Sequence, residues 1–156
     1  MTLSTCGLIA QIYRLAKEQL QITLAVSLHA PNDEIRRQIM PVARANPMEE
    51  LLQACVDYAA QTKRRITYEY AMMHGINDSD DCARELAKRL RHTLCHVNLI
   101  PMNPVKERAY TKSSDQRVQR FAHLLQQDGV ETTIRRRLGS DIDAACGQLR
   151  RRYMQK

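Results

Sequence analysis

Apolar positions along this chain switch repeatedly between helical and strand-like spacing. Thr2-Leu3-Ser4-Thr5 reads as the end of a strand; beyond Gly7, the residues Leu8, Ile12, Leu15 and Ala16 recur on one helical face. Ile22-Thr23-Leu24-Ala25-Val26-Ser27-Leu28 is short and largely apolar, as suits a parallel strand buried on both faces. A polar turn, His29-Ala30-Pro31-Asn32-Asp33, follows. Asn32 or Asp33 can cap a short helix through Ile35 and Ile39, and Pro41 stops it. Asn46-Pro47-Met48-Glu49 predicts a helix start, with Asn46 as the cap and Leu51, Leu52, Cys55, Tyr58 and Ala59 as the apolar stripe. Strands are predicted from Ile66 to Met73, from Cys95 to Ile100 and from Val130 to Ile134. Helices between them carry Ala83, Leu86, Ala87 and Leu90, then Val118, Phe121, Ala122 and Leu125. Strand and helix alternate throughout, which predicts an α/β fold with right-handed crossovers and a parallel sheet of about five strands. No Pro- or Gly-rich linker interrupts the pattern, so residues 1–156 read as one structural unit.

Composition narrows the class. A chain of 156 residues is long enough to bury a core. No apolar run reaches membrane-spanning length, and the first residues lack the basic and apolar regions of a secretory signal, so no membrane partner and a cytoplasmic location are expected. The five cysteines, Cys6, Cys55, Cys82, Cys95 and Cys146, are widely spaced without a C-x-x-C pair, which argues for reduced thiols and against a structural zinc site. A net charge of +7 permits a polyanionic partner. With aromatics at only 4 % and no Trp, such a partner would be held through phosphates rather than by stacked bases.

Candidate chemistry falls at the predicted C-terminal ends of strands, where parallel α/β folds place their ligands. Ser4 and Ser27 offer hydroxyls there, His29 an imidazole and Asn103 an amide. That set suits a nucleoside-like ligand with an amino-acid tail, and it suits other ligands too. Each also has a structural role open to it: backbone satisfaction for the serines, turn anchoring for His29, a Pro-flanked turn for Asn103. Near the end of the chain, Asp141-Ile142-Asp143-Ala144-Ala145-Cys146-Gly147 sets one thiol among small residues, with Arg150, Arg151 and Arg152 nearby to favour a thiolate. By these residues alone, a small buried cysteine is the favoured reading of Cys146. No P-loop, G-x-G-x-x-G or H-E-x-x-H motif is present.

Taken together, "LSTCG", "AVSLHAPND", "RRQIMPV", "ITYEYAMMHGINDS", "VNLIPMNP" and "DIDAACGQL" run through essentially the whole chain in that order. They resemble the C-terminal half of the radical S-adenosylmethionine RNA methyltransferases of the RlmN and Cfr type. The resemblance implies part of a (β/α) barrel, a [4Fe-4S] cluster and two uses of S-adenosylmethionine. One molecule methylates a cysteine; a second is cleaved reductively to a 5′-deoxyadenosyl radical that takes hydrogen from that methyl group. The carbon radical then adds to an adenine ring, an electron-poor target unsuited to ordinary methyl transfer. By matching motif, Cys146 is implied as the methylated cysteine, and Ser4, Ser27, Leu28, His29 and Asn103 as contacts to S-adenosylmethionine. The implied partners are 23S ribosomal RNA, transfer RNA and an external electron donor such as flavodoxin. RlmN-type members act at adenine carbon 2; a Cfr-type carbon-8 enzyme and a catalytically dead RNA-binding fragment are the alternatives.

The family's C-x-x-x-C-x-x-C cluster motif has no counterpart in these residues, nor does its resolving cysteine or its Gly-Glu contact to S-adenosylmethionine. The expectation is a piece of a longer enzyme, inactive and marginally soluble alone, with the cluster ligands in the missing N-terminal half.

Overall fold

The computed structural model describes residues 1–102 and 110–135. Five strands alternate with five helices: β1 (Thr2–Thr5), α1 (Ile9–Lys17), β2 (Thr23–Ser27), α2 (Asp33–Ile39), α3 (Met48–Thr62), β3 (Ile66–Met72), α4 (Asp80–Leu90), β4 (Cys95–Pro101), α5 (Asp115–Gln127) and β5 (Thr132–Ile134). A 3-10 turn over Pro41–Arg44 joins α2 to α3. The sheet is parallel throughout and its order is β1-β2-β3-β4-β5. Consecutive parallel neighbours joined by same-handed crossovers put every helix on one side of the sheet. This is the α/β architecture expected of a barrel segment, with strands close to where the periodicity put them.

The two faces of the sheet differ sharply. Along β3, Ile66, Tyr68, Tyr70 and Met72 are buried while Thr67, Glu69 and Ala71 are only part-buried. The buried set joins Leu24, Val26, Val97 and Leu99 in one core with the stripes of α1, α3, α4 and α5. Burial of both faces of β2, expected from its apolar run, holds for Ala25 but not for its polar neighbours Thr23 and Ser27. Among the described residues β2 therefore packs chiefly on its helix side, and its second face carries its polar positions.

Two helix starts are built from distant residues. Met48 opens α3 as the sequence pattern predicts, but Asn46 does not cap it: Asp33 Oδ1 accepts from Met48 N at 2.9 Å. Asn46 turns instead to α1, where its Oδ1 accepts from Ile9 N, and its Nδ2 donates to Val42 O. α1 has no local side-chain cap, so this long-range bond supplies one. Asn32 caps α2 as expected, accepting from Ile35 N at 2.9 Å.

Candidate functional site

The sheet face away from the described helices carries an in-register polar row. Ser27, Glu69, Asn98 and Thr133 are neighbours on β2, β3, β4 and β5, and Ser4, Ala25, Thr67 and His96 form the row below. Side chains of directly paired residues project to the same side. Ser4 and Ser27 therefore share this face. Ser4 is exposed and Ser27 part-buried. Asn103 and Cys146 lie outside the described residues.

Leu28 sits differently. Its side chain is fully buried in the core on the helix side, its N–H donates to Glu69 O at 3.0 Å, and its carbonyl accepts from Arg36 Nε at 3.1 Å. A ligand contact by Leu28 has only the remaining lone pair of that carbonyl to work with.

His29 is held on every side. Its backbone is left-handed, with φ of 59°, and its N–H donates to Glu69 O. Its Nδ1 accepts from Ala71 N at 2.9 Å, and its carbonyl accepts from Asn77 Nδ2 at 2.8 Å. An imidazole whose Nδ1 accepts from a backbone N–H is neutral, with its proton on Nε2. Burial, helped by the charge of Arg36, lowers its pKa to about 4. His29 can thus donate a hydrogen bond from Nε2, but it is not a proton shuttle near neutrality.

Two residues that sequence reasoning passed over hold this geometry. Arg36 is fully buried and donates to the carbonyls of Cys6, Ser27, Leu28 and Asn46, tying the ends of β1 and β2 to the turn before α3. Gly7 makes room for it: a Cβ there would lie 2.8 Å from Arg36 Nη2, and its φ of +96° already favours glycine. Asn77, also fully buried, donates from Nδ2 to the carbonyls of His29 and Ala71 and accepts from Met73 N at Oδ1. Gly7 was the only sequence signal for the first; Asn77 lay hidden in a turn-like Gly-x-Asn-Asp.

The thiols of the described residues are poor nucleophiles where a shift is resolved. Burial pushes Cys55 up to about 11 and also raises Cys95. Among the described residues no group of three His, Cys, Asp or Glu side chains is placed to hold a metal ion. The iron–sulfur cluster implied by the family motifs therefore does not fit these residues. The polar face does fit an adenosyl ligand, since it mixes hydroxyl, amide, carboxylate and a fixed imidazole donor.

Comparison with known proteins identifies the segment. It is 52 % identical over 154 residues to the probable dual-specificity RNA methyltransferase RlmN of Alkaliphilus metalliredigens, covering 99 % of this chain and 44 % of that protein. The corresponding protein of Clostridium tetani is 55 % identical over the same shares. A crystal structure of a radical SAM methyltransferase from Sphaerobacter thermophilus superposes with a TM-score of 0.91 at 50 % identity, covering 94 % of this chain and 43 % of that one. The chain belongs to the RlmN/Cfr family of radical S-adenosylmethionine methyltransferases. It spans less than half the length of these relatives. No family model matches the chain. No helix of the described residues is long and apolar enough to cross a membrane.

Proposed function

We propose that this segment is the C-terminal half of a cytoplasmic RlmN-type enzyme that methylates carbon 2 of adenine in 23S ribosomal RNA and in transfer RNA. The observation that carries the reading is identity near 50 % along the whole chain to relatives named dual-specificity RNA methyltransferases. The polar sheet face supports it, because it lies at the centre of a parallel sheet and is lined for a nucleoside.

In this reading Ser4, Ser27, His29 and Asn103 contact S-adenosylmethionine, with Leu28 contributing backbone only. Bound S-adenosylmethionine supplies the methyl group and the one-electron chemistry that an electron-poor ring carbon demands. Arg36 and Asn77 set the backbone from which Ser27 and His29 reach the ligand, and neutral His29 donates from Nε2. Cys146 is the thiol that carries the methyl group. The cluster ligands belong to the remainder of the longer protein, and electrons come from a flavodoxin-type donor.

Mass analysis of nucleosides from cells lacking the gene, then complemented, tests this. Loss and return of 2-methyladenosine in both RNA classes is expected, with no rescue by Cys146→Ala. Appearance of 8-methyladenosine instead would make it a Cfr-type enzyme, and no change in either nucleoside would overturn the reading. The net charge of +7 also predicts phosphate-dominated RNA binding that weakens steeply with salt in a filter-binding titration.

A further inference from the structure

Glu69 occupies the middle of the sheet face away from the described helices and has no assigned role. Its backbone is fixed: the carbonyl accepts from the N–H groups of both Leu28 and His29, at 3.0 and 3.3 Å. Its part-buried side chain stands between Ser27 on β2 and Asn98 on β4, its register partners. Among the described residues no Arg, Lys or His forms an ion pair with it, although the chain as a whole is strongly basic. His29, whose backbone adjoins it, is neutral. A half-buried carboxylate without a counter-charge asks for hydrogen-bond donors from outside.

The neighbours say which donors. A carboxylate only accepts. Asn98 Oδ1 is already taken by Thr133 Oγ1, at 3.5 Å, which leaves the donor amide Nδ2 for other partners. Ser27 Oγ donates or accepts. An ammonium group would satisfy Glu69 but give Asn98 and Ser27 nothing to donate to. A vicinal diol does both, since each hydroxyl donates to a carboxylate oxygen and accepts from a flanking donor. Acidic side chains hold ribose hydroxyls in this way in dinucleotide-binding folds.

We infer that Glu69 is the residue that binds the ribose 2′- and 3′-hydroxyls of the adenosyl ligand, with Ser27 and Asn98 completing the cradle. This deepens, and rests on, the methyltransferase reading above. Glu69 is a cofactor-positioning residue in this assignment: it fixes the sugar and so the distance from the adenosyl 5′ carbon to whatever that carbon must meet.

The test is binding, read by equilibrium dialysis on the full-length protein. The ligands are S-adenosylhomocysteine and its 2′-deoxy, 3′-deoxy and 2′,3′-dideoxy counterparts. Wild-type protein is expected to lose about ten-fold in affinity or more for each missing hydroxyl, the usual scale of a hydrogen bond to a charged group. Glu69→Gln is expected to weaken the parent ligand by a similar factor while changing the 2′,3′-dideoxy ligand by less than about three-fold, because both partner hydroxyls are then already gone. Weakening of all ligands by one common factor, or of none, would overturn the assignment while leaving the methyltransferase reading intact. Wild-type protein that binds no adenosyl ligand would overturn both. Should Glu69→Gln fail to fold, the wild-type series alone decides, since equal affinity for all four ligands contradicts a carboxylate–diol contact.

Discussion

Arg36 has its buried charge solvated by carbonyl dipoles, four of them from three separate stretches of chain. Burial lowers its pKa, yet a guanidinium stays cationic, so the protein has committed a permanent charge to this knot. Arg36→Met leaves those carbonyls without their donor and should cost about 3–5 kcal/mol in urea unfolding. Arg36→Lys should recover less than half of that, because a point-like ammonium cannot reach the same spread of oxygens as a planar fork. Gly7→Ala should destabilise by about 1 kcal/mol or more through the same contact. His29 gives a pH signature. Its folded pKa of about 4 lies below the unfolded value, so between these limits the unfolded chain binds more protons. Stability should therefore fall as pH drops from about 6.5 to 4, by roughly 3 kcal/mol from this group, and be indifferent to it above 6.5. His29→Asn keeps an acceptor and tolerates the left-handed backbone, so urea melts of that variant should show a shallower slope in the same window.

At the scale of elements, the loop after β3 is stitched to the loop after β2 by one side chain. Asn77 bonds to His29, Ala71 and Met73, and its own carbonyl accepts from Tyr70 Oη at 2.6 Å. Asn77→Ala should cost about 2–4 kcal/mol and speed amide exchange at Ala71 and Met73, with His29 released from its turn. Unchanged exchange at those amides would mean the loops are held by something else. Periodicity found the strands and helices because one sheet face packs on helices, and that packing writes itself into every second or third residue. It could not find the stitches. Asn46 looked like a cap for the helix directly after it, yet it serves α1, 37 residues earlier, while Asp33 caps α3. Such bonds depend on which elements meet in space, and local spacing carries no record of that. The site was legible in the same uneven way. Ser4 and Ser27 were placed on one face by position at strand ends; Glu69, inside a Tyr- and Met-rich strand, was passed over because alternation marks it merely as an outward residue.

The described residues form two layers, with their helices against one sheet face and polar positions lining the other. Among the described residues β1 and β5 are the edge strands, and Leu3 on β1, Leu8 and Tyr13 are exposed apolar side chains. Unpaired strand edges with apolar neighbours template association with other chains. The 156-residue polypeptide should therefore fold, since its core joins the inner faces of β2, β3 and β4 to four helices, but self-associate at micromolar concentration in sedimentation velocity. It should also purify without tightly bound iron and leave RNA unmethylated. The reason is chemical: the described residues group no three metal-ligating side chains, and the sequence lacks the three-cysteine motif of the family. Iron that survives gel filtration at a stoichiometry of several atoms per chain, or methyladenosine formed by this polypeptide alone, would show that the cluster has ligands here. Such a result would also move the origin of the radical chemistry onto this half of the sheet.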